Sequence, residues 1–78
     1  MYSVMLLSDV LSFFGMSLES LKQAYSMEHV MYTSVPSLDD ATAVDSQSLR
    51  DVIGNQTMRK LECEHNTFVI DDAQFFHI

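Results

Sequence analysis

The side chains best suited to binding a metal ion lie near the end of the chain. Cys63 and His65 stand two residues apart, with several carboxylates close by. Thiolate, imidazole and carboxylate are ligands that zinc accepts, and residues two apart on a strand face the same side. Structural zinc sites usually need paired Cys or His knuckles, however, and this chain has one cysteine. We therefore expect no metal or other cofactor, with Cys63 a small apolar residue on the buried face of a strand and His65 a turn residue.

A nucleophilic site is a second chemical possibility. Cys63 would pair with His29 or His77, with a carboxylate to orient the histidine. Nearly any chain with one cysteine and three histidines permits this arrangement. A domain of 78 residues also has difficulty enclosing a substrate pocket of roughly several hundred Å³. The sequence therefore favours a protein that is not an enzyme.

Two pairs of adjacent aspartates invite a calcium or magnesium interpretation, because hard cations bind carboxylate oxygens. Neither Asp39-Asp40 nor Asp71-Asp72 has the spacing or the loop glycine of an EF-hand. Helix capping explains the first pair better, and a solvated strand end explains the second. Both pairs are expected to contribute to a negative surface.

The charge balance is the strongest functional signal in the sequence. Eleven Asp and Glu residues stand against four Lys and Arg, which gives a net charge of −7 in a chain that is 47% hydrophobic. Such a composition indicates a folded acidic module. It repels nucleic-acid phosphates and anionic membranes, whose recognition depends on clustered basic residues. Basic protein surfaces are the electrostatically favoured partners.

One segment supports a different function. Residues 46–60, followed by a hairpin, have the outline of a helix-turn-helix with a wing, in which Gln56, Thr57, Arg59 and Lys60 would face DNA. Three of the four basic residues lie between positions 50 and 60, but the net charge opposes phosphate binding. A small winged-helix-like transcriptional regulator that uses residues 46–70 therefore stays the alternative.

Length and cysteine content limit the architecture and the compartment. The chain has room for one domain, residues 1–78, with a small core. A lone cysteine excludes an intrachain disulfide, which favours a reducing, cytoplasmic location. The apolar N-terminal run has no preceding Lys or Arg and is interrupted by Asp9, so we interpret it as part of the fold and not as a signal peptide. No stretch approaches the roughly 20 apolar residues that span a membrane.

The first third of the sequence predicts two helices. Apolar residues at helical spacing indicate a helix over residues 2–14 that ends at Gly15. Ser17 is a good N-cap for a second helix over residues 18–32. Its end is open, because residues 29–33 are also rich in the residues that strands favour.

The middle of the sequence predicts two further short helices. Asp40 completes a capping-box pattern that predicts a helix over residues 38–44. Asp45 or Ser46 caps a fourth helix over residues 46–53. These two segments are also compatible with one loop and one helix.

The last third changes period and predicts a β-hairpin. Residues 60–64 alternate charged and apolar side chains, and residues 67–70 are strand-prone, which predicts a hairpin of residues 58–64 with 67–71. The apolar C-terminus, which includes Phe75 and Phe76, is expected to dock on the domain as a segment folded over the hydrophobic layer. Since adjacent aromatic residues cannot both point the same way, exposure of one of the two rings as an interface anchor is the alternative. The predicted fold class is therefore α+β: three or four short helices followed by a C-terminal β-hairpin, in a single small domain. We expect it to form a homodimer through the first helix, since self-association is a common aid to a small core.

The function that this sequence favours is binding another protein that has a basic surface. In size and charge the chain is similar in kind, though not by motif, to the small acidic proteins with which phages and mobile elements block host enzymes. The expected mechanism is occlusion of a nucleic-acid-binding groove, without direct contact to nucleic acid or membrane. The predicted partner-binding residues are Asp39, Asp40, Asp45, Asp51, Glu62, Glu64, Asp71, Asp72, Phe75 and Phe76.

A structural subunit of a larger assembly is the third interpretation. It would fold fully only inside that assembly, and poor solubility of the isolated chain would favour it.

Overall fold

The computed structural model describes all residues, 1–78. The fold consists of four α-helices and a four-stranded antiparallel sheet, joined by turns and loops. The α+β class is confirmed, whereas the predicted order of helices and hairpin is wrong. The elements, in chain order, are β1 (Tyr2–Leu6), α1 (Leu7–Phe14), α2 (Leu18–Ala24), β2 (Tyr32–Val35), β3 (Ala41–Asp45), α3 (Ser46–Ile53), α4 (Asn55–Glu64) and β4 (Phe68–Ile70). None of the four helices has the length and apolar content needed to cross a membrane.

The strands lie in the order β2-β3-β1-β4, and every neighbouring pair is antiparallel. One helix pair connects β1 to β2 and another connects β3 to β4, which is the topology called split βαβ. The first and third strands therefore occupy the middle of the sheet. The second and fourth strands form its edges.

The predicted helix over residues 2–14 divides into β1 and α1. Val4 and Met5 are adjacent, point to opposite faces of the sheet, and are both fully buried. A strand covered on both faces is a continuous apolar run, and such a run does not distinguish strand from helix by its period. Gly15 ends α1 as predicted, with a φ of 64°.

The second predicted helix is too long. Ser17 caps α2 as predicted, since its Oγ accepts a hydrogen bond of 3.2 Å from the Ser20 amide. The helix ends at Ala24, and β2 begins at Tyr32. The strand-prone composition of residues 29–33 therefore predicted the start of β2 better than the helical spacing did.

The predicted helix over residues 38–44 is also wrong, because this region holds a turn and β3. Pro36–Leu38 forms one turn of 3-10 helix, after which Asp39 and Asp40 have φ angles of 56° and 58°. Aspartate tolerates this left-handed region because its short polar side chain bonds locally. The pair therefore closes the β2–β3 connection and caps no helix.

The fourth predicted helix is confirmed as α3, Ser46–Ile53. The Asp45 carboxylate accepts a hydrogen bond of 3.0 Å from the Ser48 amide, as an N-cap residue does. Gly54, with a φ of 86°, separates α3 from α4.

The predicted C-terminal hairpin does not form. Residues 58–64 belong to α4, whose buried residues Met58 and Leu61 are three apart, so the charged and apolar alternation belongs to a helix. Cys63 is consequently exposed on α4 and not buried on a strand. The strand-prone segment does form β4, but it pairs with β1, where Val69 lies opposite Ser3.

The helices cover one face of the sheet and build the larger core. Its eleven buried residues are Met5, Val10, Leu21, Met27, Val30, Tyr32, Val44, Leu49, Ile53, Met58 and Leu61. The opposite face has a smaller cluster. It consists of Val4, Val35 and Ala43, with Phe68, Ile70 and Phe75 packed against them.

Residues 71–78, which we call the C-terminal strap, cover this second face. The strap leaves β4 at one edge of the sheet, and Phe76 pairs with Tyr32 at the other edge through two backbone hydrogen bonds of 2.8 Å. Phe76 lies one spacing beyond β2, so the strap spans four strand spacings, about 19 Å, and the six residue steps from Ile70 reach at most about 20 Å. The strap therefore crosses the face with little slack, and the predicted docking of the C-terminus is confirmed.

Replacing Tyr32 with Phe is expected to stabilise the protein. The Tyr32 ring is 1% exposed and its hydroxyl has no hydrogen-bond partner. Because an unsatisfied buried hydroxyl costs about 1–3 kcal/mol, Tyr32→Phe should raise the free energy of unfolding by an amount in that range. Urea denaturation near neutral pH measures the difference, and an unchanged or lower stability would contradict it.

The same residue predicts a loss of stability in alkali. Burial raises the pKa of the Tyr32 phenol, so above about pH 10 the unfolded chain releases this proton before the folded chain does. The free energy of unfolding should then fall as the pH rises through this range. Tyr32→Phe should remove that part of the fall, while Tyr2→Phe, at an exposed ring, should keep it.

Asp40→Gly is expected to stabilise the β2–β3 turn. Glycine adopts a φ of 58° without steric cost, which outweighs its greater freedom in the unfolded chain by about 0.5–1 kcal/mol. Ser37→Gly in the same turn is the control, because Ser37 has no positive φ to relieve. It should leave stability unchanged or lower it, and a gain equal to that of Asp40→Gly would contradict the explanation.

Candidate functional site

An open groove lies between the β2 edge and the C-terminal strap. Its volume is about 650 Å³. Residues 33–37 form one wall, and residues 70–74 together with Phe76 form the other. We call this feature the strap groove; it has the largest volume of the four concave surfaces found on the molecule.

The β2 wall presents an unpaired piece of strand edge. The Asp45 amide bonds to the Met31 carbonyl at 2.8 Å, so residues 31, 33 and 35 direct their backbone groups toward β3. Tyr32 and Ser34 direct theirs outward. The amide and carbonyl of Tyr32 are both hydrogen-bonded to the backbone of Phe76, but the Ser34 amide has no hydrogen-bond partner.

Three neighbouring features define how much of this edge is available. The Thr33 hydroxyl is buried and donates to the Ser34 carbonyl at 3.3 Å. Pro36, the next residue directed outward, has no amide hydrogen. Ser34 is therefore the only residue of β2 that offers a free main-chain donor to an added strand.

The strap wall combines negative charge with apolar surface. Asp71 and Asp72 are exposed, and neither has a cationic side chain within 4.0 Å. Asp72 has a φ of 50°, a conformation that costs an L-residue free energy. Ile70 and Phe76 line the same groove, and Phe76 is 41% exposed.

The structure does not bring all predicted acidic residues to this groove. Asp71 and Asp72 line it, and Asp39 and Asp40 lie in the turn that follows its last β2-side residue, Ser37. These four carboxylates form the part of the predicted set that is close to the groove in space or along the chain.

The other four predicted carboxylates have different surroundings. Asp45 caps α3, and Glu62 bonds to Arg50 at 3.1 Å. Asp51 accepts a hydrogen bond from Gln47 within α3, and Glu64 is exposed at the end of α4. Three of these side chains, Asp45, Asp51 and Glu62, thus have partners within the molecule.

The two adjacent aromatic residues have separate roles, as their alternation predicted. Phe75 turns inward onto the sheet and meets the Tyr2 ring edge-on, with ring centroids 4.7 Å apart. Phe76 turns outward into the strap groove. Of the two, Phe76 is the side chain that a partner is able to contact.

The sequence reasoning missed Thr33 and Ser34 as groove residues. The signal for them was Pro36 directly after a β-branched and aromatic segment, since proline in or beside a strand is typical of a sheet edge. Which edge residue stays unpaired depends on where the strap leaves β2. That point is a tertiary feature with no local sequence pattern.

The remaining chemically capable residues do not assemble into a site. No three His, Cys, Asp or Glu side chains lie close enough together to hold a metal ion. His65 is 3.6 Å from Asp9, at the junction of α4 and α1. A second open groove, of about 570 Å³, includes His29 and Asp51 among its lining residues.

Phe75→Ala and Phe76→Ala should have very different effects on stability. Phe75 packs into the second-face cluster, so its truncation should cost about 2–4 kcal/mol of unfolding free energy. Phe76 is exposed and its bridge to Tyr32 uses the main chain, so truncation should cost less than about 1 kcal/mol. Urea titrations of both variants make the comparison, and equal costs would show that the strap does not lie as described.

No protein-family model, curated protein or solved structure matches the chain. The geometry and charge of the strap groove are therefore the features that indicate a function.

Proposed function

We propose that this protein binds another protein through the strap groove and its acidic surroundings, and that it blocks a basic surface of that partner without catalysing a reaction. The observation that carries the proposal is that one wall of the groove combines free carboxylates with exposed apolar surface. Asp71 and Asp72 are exposed and lack a cationic partner, while Ile70 and Phe76 place apolar surface beside them.

Charge supplies the attraction and the selectivity. Only two of the eleven carboxylates, Glu62 and Asp9, have a basic side chain within 4.0 Å. The others contribute to a negative field that steers a positively charged surface toward the molecule and repels anionic ones. Such steering weakens as ionic strength rises.

Apolar contact supplies affinity that charge alone does not. Exposed aromatic residues near the centre of an interface commonly contribute most of its binding energy. Phe76 would have this position in the proposed interface, with Asp71 and Asp72 on the same wall of the groove. Asp39 and Asp40 would extend the contact along the β2–β3 turn toward the roughly 800 Å² that a stable interface buries on each partner.

The partner class that fits these features is an enzyme that handles nucleic acid. Such enzymes have basic grooves that bind phosphates, and an acidic protein seated there excludes the substrate. Binding of this kind needs no metal, cofactor or membrane. Pairing with a second copy through α1 stays a prediction, and the apolar residues of α1 pack largely on the chain's own core.

The alternative, a transcriptional regulator using residues 46–70, has one favourable observation. Gly54 alone separates α3 from α4, and α4 exposes Arg59 and Lys60. Against it, Arg50 is engaged with Glu62, and no hairpin wing follows α4. Retardation of a DNA duplex in a gel shift at low salt would favour the regulator over the inhibitor.

The inhibitor proposal predicts selective capture of one partner from the lysate of the source organism. The wild-type protein, immobilised at low salt, should retain a nucleic-acid-handling enzyme and release it at high salt. Added to that purified enzyme, the protein should inhibit it at near-stoichiometric concentration. The double variant Asp71→Asn, Asp72→Asn should lose most of both effects.

A matched control separates the groove from net charge. The double variant Asp51→Asn, Glu64→Gln removes the same charge from two exposed positions outside the strap groove. It should retain the enzyme nearly as well as the wild type. Equal loss with both double variants, or recovery of only DNA or further copies of the chain, would contradict the proposal.

A further inference from the structure

We propose that the strap groove binds an extended peptide segment of alternating basic and apolar residues, which adds to the β2 edge at Ser34. This inference rests on the proposed function and specifies the part of the partner that is recognised. Three features of the groove support it. The Ser34 amide on the β2 edge is unpaired, Val35, Ile70 and Phe76 provide apolar lining, and Asp71 and Asp72 have no cationic partner.

The unpaired edge accepts an extended main chain. The Tyr32–Phe76 bridge is antiparallel, so its continuation would place Gln74 opposite Ser34. That pairing does not occur, and the strap instead diverges from β2 to form the far wall of the groove. An incoming segment is therefore able to pair with Ser34 while the bridge to Phe76 stays intact.

Alternation of side chains in an extended segment matches the two kinds of groove surface. Successive residues point to opposite sides, so an apolar residue directed inward has neighbours directed outward. Inward, the groove offers Val35, Ile70 and Phe76. Asp71 and Asp72 on the strap wall would attract the basic side chains of the neighbouring residues.

The same features limit the length and strength of the interaction. Phe76 already pairs with Tyr32, and Pro36 provides no amide, so main-chain recognition is restricted to one residue of β2. Charge must therefore supply much of the selectivity. The groove would favour a short basic segment at the edge of a larger interface and would reject an acidic one.

A synthetic peptide tests the inference directly. The probe is the hexapeptide acetyl-KVKVKV-amide, titrated into the full-length ¹⁵N-labelled protein at low salt and followed by amide chemical shifts. The largest shifts should fall on the amides of Ser34, Asp71, Asp72 and Gln74. The acidic counterpart acetyl-EVEVEV-amide should produce no comparable shifts at these positions.

An altered peptide and a protein variant separate the contribution of main-chain hydrogen bonds from the contribution of charge. The peptide acetyl-KVKPKV-amide keeps the charge but loses a central amide, which would donate to the second lone pair of the Ser34 carbonyl, so it should bind several-fold more weakly. The protein variant Asp71→Asn, Asp72→Asn should raise the dissociation constant of acetyl-KVKVKV-amide roughly tenfold, since two exposed ion pairs each contribute modestly to the binding free energy. Asp51→Asn, Glu64→Gln should change it little.

Several outcomes would overturn the inference. These are shifts that map elsewhere, equal binding of the acidic peptide, equal binding of the proline peptide, or equal weakening by both protein variants. If the peptide fails while Asp71→Asn, Asp72→Asn still abolishes enzyme capture, the extended-segment inference is wrong and the proposed function stands. If the peptide binds at Ser34 but no enzyme is captured or inhibited, the proposed function is wrong.

Discussion

The structure depends on covering both faces of a sheet whose first strand is buried on each side. Val4 and Met5 are both fully buried, and they point in opposite directions from β1. The helices cover the face of Met5. Only the C-terminal strap is available for the face of Val4, because every other helix and strand is already placed.

This constraint produces the groove. A single strap is narrower than a sheet of four strands, so it covers the second face incompletely and leaves a concave surface beside β2. Phe75 anchors the strap on the cluster beneath, and Phe76 holds it to Tyr32. The packing that completes the fold thus also displays Asp71 and Asp72 together with exposed apolar surface.

Local sequence signals predicted the features that depend on local chemistry. The Asp45 cap and Gly54 correctly bounded α3, while Ser17 and Gly15 correctly marked ends of α2 and α1. The failures lie where tertiary packing decides between helix and strand. β1 is an apolar run that also has helical spacing, and the alternation in residues 60–64 was equally compatible with an amphipathic helix. The acidic residues show the same division, because sequence alone does not distinguish Asp45, a helix cap, from Asp71, a free carboxylate on the groove.

The strap pairs with β2 at Tyr32 and leaves the Ser34 amide free beside an acidic wall. Amide hydrogen exchange of Phe76 and Ser34 tests this arrangement, because protection reports the hydrogen bonding of each amide separately. The Phe76 amide should be protected by its bond to the Tyr32 carbonyl, while the Ser34 amide should exchange at nearly the rate of an unstructured chain. Protection of the Ser34 amide, or rapid exchange of the Phe76 amide, would show that the strap does not bond to β2 in this way.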